Sequence, residues 1–179
     1  MKIQTNLLRA ASKFQAKDDI RYYLNGIHLN KGKIEATNGH VAIILDTGEK
    51  NKVDKIIKFI GSIPKKAEFT EIVFDEKCNI AIHSDEKGNK IGAQIFDIVD
   101  GRFPDVNNIV PKQIKKEKFP AIQTIYLELI NKAFEASARN FVAVKPVHYC
   151  EGEAVLFELT GGAKDKFNNP IVLIMGSRD

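Results

Sequence analysis

Four histidines, His28, His40, His83 and His148, are the side chains best suited to proton transfer near neutral pH, and each falls on a separate expected strand. None has a carboxylate at a spacing diagnostic of a catalytic or metal site. Cys78 and Cys150 stand far apart without a CxxC pairing, so they read as buried free thiols, neither a disulfide nor zinc ligands. A phosphate cradle fails as well: Gly161-Gly162-Ala163-Lys164 lacks P-loop spacing, and neither HExxH nor GxSxG occurs. The expectation is a protein that is not an enzyme, with no catalytic residues, no metal and no cofactor. What remains is binding chemistry. Lysines cluster at Lys50, Lys52, Lys55 and Lys58, at Lys65 and Lys66, and at Lys112, Lys115, Lys116 and Lys118. Such clusters suit phosphates, although solvated lysine faces are common on any soluble protein.

The elements that must position these residues follow from periodicity. The chain of 179 residues, 44% apolar and 28% charged with a net charge of +4, can bury a core of one domain or one plus a fragment. No apolar run reaches the roughly 18 residues that span a bilayer, and Met1-Lys2-Ile3-Gln4-Thr5 has no secretory apolar stretch, so a cytoplasmic location is expected. Residues 5–15 place Leu7, Leu8, Ala11 and Phe14 at helical spacing, with Asn6 as N-cap and Arg9, Lys13 and Lys17 on the other side. Lys33-Ile34-Glu35-Ala36-Thr37 alternates as a strand, and Asn38-Gly39 turns it into a second one at 40–45. Val53, Ile56, Ile57 and Ile60 then have the spacing of another amphipathic helix, ended by Gly61 and Pro64, with Lys55 and Lys58 facing away. Strands are expected at 69–74, 78–83 and 90–98, followed by a Pro-, Asn- and Lys-rich boundary over 100–118. Leu127, Ile130, Ala133 and Phe134 mark a third helix, on whose surface Glu128 and Glu135 offset Lys132 and Arg139. Strands at 141–147, 154–160 and 171–175 complete the chain, with Gly161-Gly162 breaking the last pair. The fold class is α+β, about three copies of one helix followed by antiparallel strands, divided into a domain at 1–112 and a half domain at 119–179.

Three stretches occur in one order: Asp19-Ile20-Arg21-Tyr22-Tyr23-Leu24-Asn25-Gly26, then Ala36-Thr37-Asn38-Gly39-His40, then Asp100-Gly101-Arg102-Phe103-Pro104-Asp105. Together they resemble the middle domain of the bacterial sliding clamp, the DNA polymerase III beta subunit. The end, Val172-Leu173-Ile174-Met175-Gly176-Ser177-Arg178-Asp179, is similar to that family's tail, with Gly176 where proline is usual. The resemblance implies the sliding-clamp fold: helices line a central hole, sheets form the outer wall, and duplex DNA passes through on phosphate contacts without base readout. On that reading Arg9, Lys13, Lys17, Lys55, Lys58, Lys132 and Arg139 face DNA.

The resemblance also implies a pocket for short peptide motifs of DNA polymerase and clamp loader. Thr37, Gly39, His40, Val41 and Ala42 would form one wall, Pro111 an edge, and Ile174, Met175 and Arg178 the tail side. Val41 and Ala42 stand where the family has arginine and a large aliphatic, which implies a shifted partner preference. A closed ring would need a homo-oligomer, four copies supplying about twelve units. So short a clamp would suit a phage or plasmid. The competing expectation is an adaptor or decoy that binds clamp partners without encircling DNA.

Overall fold

Alternation and helical spacing translate into a sheet with helices on one side. The computed structural model describes residues 1–134 and 142–177. In chain order these are β1 (Lys2–Gln4), α1 (Thr5–Phe14), β2 (Ile27–Asn30), β3 (Lys33–Thr37), β4 (Val41–Asp46), β5 (Asp54–Phe59), β6 (Phe69–Val73), β7 (Ile80–Ser84) and β8 (Lys90–Val99), then α2 (Thr124–Phe134), β9 (Val144–His148), β10 (Ala154–Leu159), α3 (Gly162–Lys166) and β11 (Ile171–Met175). Among the described residues the strands pair antiparallel in the order β1-β6-β7-β8-β5-β2-β3-β4-β11-β10-β9. The tail strand β11 thus inserts between β4 and β10, joining the last part of the chain to the first.

Because side chains alternate across a strand, the sheet has two apolar faces. On the inner face Leu7, Leu8 and Phe14 of α1 and Phe134 of α2 pack against Ile43, Ile57, Val172 and Ile174. Leu7, Leu8 and Phe14 lose all exposure, each worth about 1.5–3 kcal/mol by area transfer. On the outer face Ala42, Ile44, Ile56 and Leu173 lie under Phe103 and Val106 from the segment after β8. Covered on both sides, β4 runs Val-Ala-Ile-Ile-Leu with every one of these side chains buried.

Several expectations change. The stretch 53–60 is the strand β5, not a helix, and its two central residues point to opposite faces, Ile57 to the helices and Ile56 to the outer cluster. The expected second repeat therefore has strands without a helix, and Arg9 of α1 holds the 60–68 connection. Its guanidinium donates to the carbonyls of Pro64 (2.8 Å), Lys65 (3.1 Å) and Ala67 (3.0 Å). Gly161 precedes the short helix α3. Cys78 is exposed and Cys150 half-buried, so neither is the buried thiol expected. No described helix is long and apolar enough to cross a membrane.

Candidate functional site

The β3–β4 turn is set by its own polar side chains. The Thr37 hydroxyl donates to the Val41 carbonyl at 2.6 Å and accepts from the Gly39 N–H at 3.0 Å, while Asn38 Oδ1 accepts from the N–H groups of His40 and Val41 at 2.9 and 3.0 Å. Gly39 has φ +90°, which favours glycine, and a Cβ there would press on the Arg21 guanidinium at 3.0 Å. Arg21 is fixed in turn by Asp19, with Nε to Oδ1 at 3.0 Å and Nη2 to Oδ2 at 2.8 Å. That bidentate bond, with a further one from the Arg21 N–H, holds the Asp19 carboxyl down at about 2. The Asn25 side chain clasps the Asp19 backbone, accepting its N–H and donating to its carbonyl, both at 2.9 Å.

β11 brings the tail against this turn. Its register sets Leu173 opposite Ala42 and Ile174 opposite Val41. Period two then sends Leu173 and Met175 outward and Ile174 inward, where it has 0% exposure among the helix-facing residues. The outer wall is the 3-10 turn Val106–Ile109, capped by Asp105, whose carboxylate accepts the Asn107 N–H at 3.1 Å. Between these parts lies a groove of about 310 Å³. Arg21, Tyr23 and Leu24 border it on one side, Thr37, Gly39, His40, Val41 and Ala42 on the next, Pro104, Asp105, Val106 and Ile109 opposite, and Leu173 and Met175 at the tail. His40 is exposed, stacks on Tyr126 of α2 (centroids 5.7 Å, planes 14° apart) and accepts the Met175 N–H through its carbonyl at 2.8 Å. An apolar floor with a polar rim is suited to apolar anchors whose direction the rim sets.

No family model matches this sequence, and no curated protein does. Solved structures do. A DNA polymerase sliding clamp from Pseudomonas aeruginosa aligns at TM-score 0.64 and 14% identity, over 100% of this chain and 66% of its own. DNA polymerase III subunit beta from Borrelia burgdorferi, solved in complex with a natural product, aligns at 0.60 and 15%, over 99% and 64%. A DnaN sliding clamp from Bartonella birtlesii bound to griselimycin aligns at 0.61 and 13%, over 100% and 66%. The chain has the sliding-clamp fold. It spans 64–66% of the length of these clamps.

In this clamp fold the residues expected at a peptide pocket divide. Thr37, Gly39, His40, Val41, Ala42 and Met175 surround the groove. Ile174 points into the helix-side core, Pro111 lies beyond the wall turn, and Arg178 falls outside the described residues. The sequence reading did not place Arg21, Tyr23, Leu24, Pro104, Asp105, Val106, Ile109 or Leu173 there. The signal was present, because the first two of these sets sit in or beside the motifs that carry the resemblance.

The cations expected toward DNA divide too. Lys13 at the end of α1 and Lys17 just after it are exposed. Arg9 is committed to the 60–68 connection, and burial lowers its pKa. Lys55 shares the face of Ile57 on β5 whereas Lys58 shares that of Ile56, so the two point to opposite sides of the sheet. Lys132 pairs with Glu128 one helical turn away at 2.6 Å, and Arg139 lies outside the described residues. Two histidines do have carboxylate partners: His148 Nε2 meets Glu153 at 3.0 Å, and His28 lies between Glu35 and Asp54. The His28 pairs form between neighbouring strands, β2 with β3 and β5, whereas Glu153 reaches His148 from the turn that follows β9.

Proposed function

We propose that this chain is a clamp-like processivity factor of DNA replication. Its groove captures a short apolar peptide from a DNA polymerase or a clamp loader, and several copies assemble around duplex DNA. The groove carries the reading: segments 21–24, 37–42 and 104–109 meet the tail strand at one apolar hollow. An extended peptide with Leu or Phe anchors fills such a hollow, while Arg21, His40 and Asp105 on the rim fix its direction. The experiment is anisotropy with a fluorescein-labelled pentapeptide ending in Leu-Phe, competed with griselimycin. Saturable, displaceable binding supports the reading. No binding up to about 1 mM peptide, the weak limit near 4 kcal/mol, overturns it.

A second reading, an adaptor or decoy that holds the same peptides without encircling DNA, is favoured by the cation geometry. Arg9 is spent on backbone carbonyls, Lys58 points away from the helices, and Lys132 is paired. Retention on closed circular but not linear duplex at high salt separates the two, since topological linkage tolerates salt and phosphate contact does not.

A further inference from the structure

The groove's outer wall is fastened from behind by an ionic cluster. His28 of β2 is about nine-tenths buried on the outer face of the sheet. Its Nδ1 lies 2.9 Å from Glu35 Oε2 and its Nε2 2.9 Å from Asp54 Oδ1. An imidazole has one N–H, and only the imidazolium has two. With both carboxylates ionised, the neutral ring would set a lone pair against a carboxylate oxygen, so this geometry belongs to the protonated ring. The ring stacks on Phe103, centroids 4.7 Å and planes 27° apart. Glu35 also accepts from Asn30 (3.3 Å) and from Asn107 of the wall turn (3.4 Å). Phe103 and Asn107 bracket Pro104, Asp105 and Val106, which border the groove.

We propose that His28, held as an imidazolium between Glu35 and Asp54, is the positioning residue of the peptide groove: it seats Phe103 and so sets the 103–109 wall. The proposal rests on the peptide-binding reading above and adds its regulation, since proton loss from His28 releases one carboxylate and loosens the wall. The charged groups facing the ring are Glu35 from β3 and Asp54 from β5; Lys31 faces Asp54 at 3.7 Å, and Asp105 is reached through Asn107. Burial alone would lower the His28 pKa, but the bonds to Glu35 and Asp54 outweigh it and raise it. A raised value fixes the sign. The wall is fully held below the ordinary value of about 6.5 and is lost as pH rises through the higher folded value.

The test follows the pentapeptide ending in Leu-Phe by anisotropy from pH 5.5 to 9, beside NMR of the Val106 and Ile109 amides and of the His28 ring. The expected result is a Kd that rises about fivefold to tenfold across the titration, with the wall amides moving at the midpoint of the ring. His28→Gln flattens both profiles, and Asp54→Asn lowers the midpoint. Asp54 is 54% exposed, so its variant reports even where His28→Gln fails to fold. Wall amides that ignore the ring, or a His28→Gln protein with the wild-type profile, overturn the proposal. A peptide that binds at no pH overturns the peptide reading instead, while amides that still follow the ring uphold the positioning role.

Discussion

At the scale of single residues the groove depends on side chains that period two aims outward. Met175 is 37% exposed beside buried Leu173 and Ala42, so it offers a soft apolar surface on a rigid floor. A carboxylate there would have to lose its water against a bound apolar anchor. Met175→Glu is expected to raise the peptide Kd about tenfold or more, read by anisotropy, while the mass by light scattering stays unchanged. Gly176, the next residue, meets a different constraint. A Cβ on it would fall 2.6 Å from Pro120 Cβ, and the Ser177 N–H donates to the Ala121 carbonyl at 2.7 Å, so the tail is pressed onto the linker before α2. Gly176→Ala is expected to cost about 1–3 kcal/mol of overpacking, visible as a lower urea midpoint. This contact also gives a physical reason for glycine where the clamp family usually has proline.

Among elements, periodicity made much of the fold legible and misread it in one instructive place. Lys33–Thr37 and Ile171–Met175 match their expected limits because each strand ends at a clear break, Asn38-Gly39 for one and Gly176 for the other. Val53, Ile56, Ile57 and Ile60 satisfy helical spacing, yet Ile56 and Ile57 bury on opposite faces of β5. A strand covered on both sides buries consecutive residues, and over so short a run it copies the helical pattern. The floor and turn of the groove were legible because they are local in sequence. The wall was not, since Val106 and Ile109 reach Leu173 only through the fold. The carbonyl partners of Arg9 were likewise not legible, because they lie more than fifty residues away. With those three bonds made by a charged donor, Arg9→Ala is expected to destabilise the protein by about 2 kcal/mol and to speed hydrogen exchange in residues 60–68. DNA association should change little, which separates this structural role from a channel-facing one.

Across the whole molecule, the free strand edges limit how copies would meet under the processivity reading. β9 pairs with β10 alone among described strands and contains Pro146, which has no N–H to offer a further strand. β1 is three residues long. The first half of β8 is the longer open edge, for Lys90 to Ile95 pair with β7 while only the later residues, 96–99, pair with β5. Strand-to-strand closure between copies would therefore draw on β8, with Ile91 and Ile95 exposed beside it at 43% and 51%. Of the cations expected to face DNA, Lys13, Lys17 and Lys55 are exposed, and Lys55 lies on the helix side of the sheet. The processivity reading predicts a multimer whose mass by light scattering holds on dilution, and DNA binding whose salt dependence flattens by about 0.9 per lost phosphate contact when these three lysines become alanine. Replacing Ile95 with lysine should then dissociate the multimer and release circular DNA while leaving peptide affinity intact. A monomer at every concentration, with peptide binding unchanged, makes the chain a capture module that never closes on DNA.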